Sequence, residues 1–319
     1  MSKGISRLFS SLIIVSLLAI TIPVLRDPEQ NELTNEARSQ FPGSYINLPN
    51  GMVRYKLSGP LDGETVLLIG GLTTSLEFFD SMQLKLNQAG YRTLQFDLYG
   101  RGASDRPSHL SYGKSTYIKQ IDDLLTSLNI NEPLHIVGQS LGGGIGMTWS
   151  AAHPEKVRSI SIHASAGYLP SPPAMLTLIK TPIIGDYLWW LVGNDFAVGN
   201  VDKYFSDKEE TREIAENLRV SLRHSATFIG YRTAVLKTLR HFSPENLETS
   251  FRIIGGTSIA VQIIWGDKDE LIPVLSSARL NDWLGGKATI EILKNAGHMP
   301  LLEKSELVIP MVISHLNTH

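Results

Sequence analysis

The sequence predicts an α/β fold, a mostly parallel central sheet flanked by helices and interrupted by an inserted helical cap. Three observations carry this. Short apolar runs alternate with helical patterns along most of the chain, the signature of parallel strands joined by crossover helices. A glycine-flanked turn, Gly138-Gln139-Ser140-Leu141-Gly142, lies where one such run ends and a glycine-rich helix begins. The interval from about 167 to 259 holds helical patterns and no convincing parallel strand.

Taken in order, the folded unit spans 44–319. Runs at 44–48 and 52–57 flank Pro49-Asn50-Gly51, and Asn-Gly between β-prone runs is a strong short-range hairpin signal. Strands follow at 65–69, 91–96 and 134–137, separated by helical patterns at 76–89 and 115–128. A helix at 141–152 and a strand at 157–162 come next. After the cap, strands at 261–265 and 289–293 bracket a helix at 274–284, and a final helix runs to about 316. Within the cap, helical patterns fall at 174–180, 184–192, 208–223 and 227–241. Structureless or inserted segments of that length in compact domains usually serve function. Met175, Leu178, Ile179, Tyr187, Leu188, Trp189, Trp190, Phe196 and Phe228 are its candidate pocket residues; packing within the cap's own core is the competing use for each of them.

The segment before the domain reads as a targeting signal. Lys3 and Arg7 precede an apolar run over 8–25, broken only by Ser10, Ser11, Ser16 and Thr21. As a helix it is roughly 27 Å long, against a hydrocarbon core of about 30 Å. No clear small-x-small cleavage site follows. Residues 1–26 are therefore read as an uncleaved signal anchor that leaves the folded domain outside the cytoplasm, with a cleaved signal peptide as the alternative. Residues 27–43, polar and poor in large apolar side chains, read as a surface linker between membrane and domain.

Bulk composition removes several classes. A formal net charge of -2 offers no basic field for a phosphate backbone, so nucleic acid is not an expected partner. With no cysteine in the chain, disulfides, thiolate metal sites and a cysteine nucleophile are excluded. No H-E-x-x-H or G-x-G-x-x-G motif occurs, and Gly113-Lys114-Ser115 fails as a P-loop because Ser108 stands where its first glycine belongs. No metal or other cofactor is expected.

The remaining chemistry converges on Ser140. A strand-turn-helix context makes G-x-S-x-G a nucleophile elbow: a tight turn needs residues without side chains two before and two after the serine, here Gly138 and Gly142. The serine needs a positioned base held by an acid. His298, in Asn295-Ala296-Gly297-His298-Met299-Pro300, follows the last strand. Asp267 and Asp269 follow the strand before it and compete for the acid role, with Asp269 preferred.

From about Ser44 onward the chain resembles the α/β-hydrolase superfamily, specifically its capped serine esterases and lipases, including the monoacylglycerol-lipase-like group and related bacterial lipases. Besides the elbow, Leu68-Ile69-Gly70-Gly71-Leu72 looks like the family's oxyanion loop, the stretch from Phe96 to Pro107 like its D-x-x-G-x-G-x-S-x-x-P loop, and Gly297-His298 with Glu303 like its G-H-x-x-x-x-E ending. The resemblance implies Ser140, Asp269 and His298 as catalytic triad and the N–H groups of Leu72 and Leu141 as oxyanion donors. Gly71, Gln139, Trp189, Trp190 and Met299 are the accompanying substrate-binding candidates. Gly70 and Gln139 depart from the histidines usual at those positions, without removing a catalytic group. The implied activity is hydrolysis of carboxylic esters, acylglycerol-like substrates among them, through an acyl-enzyme. Other chemistry on the same scaffold (C–C bond hydrolysis, thioester hydrolysis, perhydrolysis) and a low-turnover binding protein are the alternatives. Acyl length, alcohol and oligomeric state are open at this level.

Overall fold

A computed structural model describes residues 27–319 together with Thr21, Val24 and Leu25. The expected anchor, residues 1–26, otherwise lies outside the described residues. Its role stands as a proposal, which membrane fractionation of cells making the chain without that segment tests. Among the described residues no helix is long and apolar enough to cross a membrane.

One eight-stranded sheet organises the molecule. Its strands are β1 (Ser44–Leu48), β2 (Gly51–Ser58), β3 (Thr65–Ile69), β4 (Arg92–Phe96), β5 (Leu134–Gln139), β6 (Val157–His163), β7 (Ala260–Gly266) and β8 (Thr289–Leu293), in the spatial order β1-β2-β4-β3-β5-β6-β7-β8. β1, β2 and β4 pair antiparallel; every pairing from β4 through β3 to β8 is parallel. The hairpin differs in one detail from its sequence signal. Leu48 pairs with Gly51, so Pro49-Asn50 forms the loop and Gly51, at φ 139°, already opens β2. Proline's φ near −65° suits the first loop position, and the glycine absorbs the left-handed backbone that follows.

Alternation along the strands sorts the core onto two faces. Leu67 and Ile69 of β3 join Ile136 of β5 and Ile263 of β7 on one side; Val66 and Leu68 join Val137 and Ile264 on the other. Helices cover both: α1 (Asn35–Arg38) precedes the sheet, followed by α2 (Asp80–Gln88), α3 (Lys114–Ser127) and α4 (Leu141–Ala152). The cap contributes α5 (Ala174–Ile179), α6 (Ile184–Gly199), α7 (Arg212–Ala226) and α8 (Tyr231–His241), and α9 (Glu248–Gly255), α10 (Leu275–Trp283), α11 (Pro300–Glu303) and α12 (Ser305–Asn317) complete the chain.

Two organisational expectations change. α9 falls inside the 167–259 interval but packs against α4, its Phe251 and Ile254 fully buried in the sheet's core; the separate cap ends before it. The 27–43 linker is a docked strap. Asp27 takes two hydrogen bonds of 2.9 Å from the Arg232 guanidinium, and Glu29 accepts from the N–H groups of Gly230 and Arg232 at the start of α8. Asn31 bridges to Phe228, Phe41 stacks on His224, and Arg38 pairs with Asp105. Local pattern does not reveal the strap because the partners of its charges lie far along the chain, 205 residues away for Asp27–Arg232 and 67 for Arg38–Asp105.

Candidate active site

Ser140 occupies the turn between β5 and α4 at φ 53°, ψ −119°, a backbone region costing about 1–3 kcal/mol for a side-chain-bearing residue. Close packing enforces it. A Cβ on Gly138 would lie 2.6 Å from Gly142 O and Gly143 N, and one on Gly142 would collide with the carbonyl oxygens of Ile69 and Gly70. The Ser140 N–H donates to His163 O at 2.9 Å, and its carbonyl accepts from Ala166 at 2.9 Å, so the end of the neighbouring β6 and the residues just after it brace the turn.

His298 approaches from the loop after β8. Its Nε2 lies 2.9 Å from Ser140 Oγ and its Nδ1 2.8 Å from Asp269 Oδ2. The other carboxylate oxygen of Asp269 accepts from the Leu271 and Ile272 N–H groups at 2.9 Å, fixing the acid's orientation. Three contacts hold the histidine loop: Gln139 Nε2 donates to His298 O at 2.7 Å, Met299 N–H to Tyr204 O at 3.1 Å, and Gly297 N–H to Glu303 Oε1 at 2.9 Å. Asp267, the competing acid, makes no hydrogen bond to His298, and its Oδ1 is shielded without a protein partner. The geometry thus separates the two carboxylates.

Leu141 is the first residue of α4 and Leu72 follows Gly71 in the loop after β3; among the described residues neither N–H is engaged by a protein acceptor. A Cβ on Gly71 would sit 3.6 Å from Ser140 Cβ, so this loop and the serine nearly touch. Thr74 Oγ1 accepts the Gly71 N–H at 2.7 Å. The buried Arg101 donates to Leu72 O at 2.8 Å and to Thr238 Oγ1 of α8 at 2.8 Å, tying the loop to the cap.

A family model described as alpha/beta hydrolase fold matches residues 64–305, from β3 to the start of α12. The chain belongs to the alpha/beta hydrolase fold family. Lipase 1 of Psychrobacter immobilis is 24% identical over 257 residues, covering 78% of this chain and 75% of the lipase. A 2-hydroxymuconate semialdehyde hydrolase of Pseudomonas sp. (strain CF600) is 26% identical over 215 residues, 66% of this chain and 71% of its own. A crystal structure of a putative lipase from Acinetobacter baumannii AYE superposes with a TM-score of 0.68 at 20% identity, covering 91% of this chain and 98% of that one.

In this α/β-hydrolase, Ser140 and His298 open into a cavity of about 230 Å³ with mostly apolar walls. Gly71 and Met299 line it as expected, and so do Met175, Ile179 and Phe196 of the cap. Three binding candidates do not. Gln139 is fully buried and serves the histidine loop. Trp189 lies in the cap's own core with Tyr231, Val235 and Leu236, its Nε1 donating to Arg232 O at 2.8 Å. Trp190 turns to the strap, with Nε1 3.4 Å from Asp27 Oδ2. Adjacent residues on a helix point about 100° apart, and which of them faces the cavity depends on how α6 docks. Tyr204, Leu239 and Glu245 of the lining carried no sequence signal: Tyr204 and Glu245 lie in loops, and Leu239 reaches the cavity only through the way α8 docks.

Proposed function

We propose that the protein is a serine hydrolase of carboxylic esters. The reading rests on one observation, the continuous Ser140–His298–Asp269 hydrogen-bond chain at the mouth of an apolar cavity. Ser140 Oγ attacks the ester carbonyl while His298 Nε2 takes its proton; Asp269, bonded to Nδ1, holds the ring and stabilises the imidazolium. The Leu72 and Leu141 N–H groups receive the oxyanion, aided by the N-terminal dipole of α4. His298 then protonates the departing alcohol and activates the water that releases the acid.

C–C bond hydrolysis is the second reading, favoured by the likeness to the semialdehyde hydrolase. A muconate is an anion, however, and the cavity lining contains no lysine or arginine among the described residues, while it does contain Glu245. That electrostatic balance suits a neutral ester. Exposed apolar side chains on the cap, among them Met175, Ile183, Ile184 and Val192, support an ester drawn from a lipid phase.

A panel of chromogenic esters of increasing acyl length, assayed on the wild type and on Ser140→Ala, tests the proposal. Rates should climb from acetate to a maximum at medium chains and collapse in the variant, whose fold is retained. Turnover of no ester, with turnover of a vinylogous diketone, would favour the second reading.

A further inference from the structure

Arg101, in the loop after β4, is a fully buried cation that the triad does not use. Its three side-chain nitrogens all donate to neutral oxygens: Nε to Leu72 O at 2.8 Å, Nη1 to Tyr99 O at 3.1 Å and Nη2 to Thr238 Oγ1 at 2.8 Å. Asp97, which opens the same loop, is taken by Arg54 at 3.1 Å and by the N–H groups of Leu76 and Ala103 at 2.8 Å each. Tyr112 and Tyr231, which feel the Arg101 charge, are pushed up by burial and supply no anion. A guanidinium taken out of water without a counter-charge is costly, and an apolar side chain would fill the space at less cost. What the charge holds therefore matters.

It holds an oxyanion donor. Leu72 is fixed on three sides: the Gly71 N–H before it donates to Thr74 Oγ1 at 2.7 Å, its own carbonyl takes Arg101 Nε, and its side chain packs on the cap core of Ile179, Trp189, Tyr231 and Leu239. Its N–H, bound by no protein acceptor among the described residues, belongs to the wall that Ser140 shares. The far end of the guanidinium is braced by the cap. Thr238 of α8 donates its proton to Ala234 O at 2.8 Å, which leaves its oxygen to accept from Arg101 Nη2 and, at 2.6 Å, from the Tyr117 hydroxyl of α3. A Cβ on Gly100 would collide with the Ala234 side chain, so the loop and α8 lie in direct contact.

We propose that Arg101 is a positioning residue for the ester hydrolysis on which this inference rests: braced on α8, it holds the Leu72 carbonyl so that the Leu72 N–H stays aimed at the oxyanion, and cap docking thereby sets the oxyanion hole. Arg101 does not line the cavity, so it acts through Leu72 alone. Its planar fork makes a charge-assisted bond and two further anchors at once, which neither a neutral side chain nor a lysine reproduces. The benefit falls on the transition state, where the charge on the substrate oxygen develops.

Kinetics on one ester that the wild type hydrolyses test this. Arg101→Met should lower kcat about 100-fold with KM changed less than about threefold, since one oxyanion donor is worth about 10²–10³ in kcat. Arg101→Lys, which keeps the charge without the fork, should stand about tenfold below the wild type. Thr238→Val, which loosens the brace without touching Leu72, should lose about threefold or more in kcat, and it decides the matter if the arginine variants do not fold. A trifluoromethyl ketone, whose adduct with Ser140 places an oxyanion in the hole, separates positioning from stability: its Ki should rise across the variants in step with the fall in kcat/KM. A lowered Tm with wild-type kcat and Ki, or losses confined to KM, overturn the assignment. The rate of fluorophosphonate labelling at Ser140 is read in parallel. Labelling slowed by the Arg101 substitutions in a protein that turns over no ester would sink the ester reading and spare the positioning role, whereas ester turnover at the wild-type kcat in those variants would do the reverse.

Discussion

Asp269 and Asp267 stand two positions apart on one loop, yet only Asp269 has a carboxylate oxygen on His298 and its second oxygen on two backbone N–H groups. Asp269→Asn should therefore lower kcat by about 10³–10⁴-fold through loss of the correct imidazole tautomer. Asp267→Asn should remain near the wild-type rate, and steady-state kinetics on one ester settles it; equal losses in both would contradict the assignment. At this scale the sequence was highly legible. Ser140, Asp269 and His298 sit in short loops whose placement follows from the strand before each, so local spacing suffices to bring them to one sheet edge. Trp189 and Trp190 show the limit: hydrophobicity marks them as buried, but whether they face a cavity, a core or a strap depends on contacts distant in sequence.

Among the elements, the central strands β3 to β7 and their crossover helices followed their periodicity closely because burial on both faces of the sheet leaves each run one stable arrangement. The strap did not. Residues 27–31 clamp the start of α8 through Asp27–Arg232 and through Glu29, whose carboxylate meets two N–H groups where the helix dipole favours negative charge. Polar pairing of this kind has no period. Arg232→Met should remove the charge-assisted pair, worth about 1.5–3 kcal/mol, and loosen the cap locally rather than the sheet. Hydrogen exchange of the amides at the start of α8 should accelerate about tenfold or more, with β5 and β6 unchanged; identical exchange at α8 would show that the strap contributes nothing to holding the cap.

The molecule as a whole is a sheet with a core on each face and a cap over its C-terminal edge, and its interior sets a pH limit. His163, at the end of β6 beneath the elbow, is fully buried, and burial pushes its imidazole down to about 3. His315 of α12 is held down to about 4, by burial first and by the neighbouring His319 second. An unfolded histidine titrates near 6.5. Above that value neither state is protonated and the folded state keeps its full stability; below it the unfolded chain binds protons that the native interior refuses. Stability should thus fall between about pH 6.5 and the folded values, by up to about 1.4 kcal/mol per unit for each group. His163→Gln should lose less of its Tm than the wild type between pH 7 and 5. Equal losses would mean that His163 is not the group responsible.

The account depends most on Ser140 being the activated nucleophile, and a fluorophosphonate tests this without knowledge of the substrate. Peptide mass spectrometry after labelling should find one adduct, on Ser140, with none on Ser140→Ala and a strongly slowed reaction in His298→Ala. An unlabelled wild type, or an adduct on another residue that persists in Ser140→Ala, would contradict it.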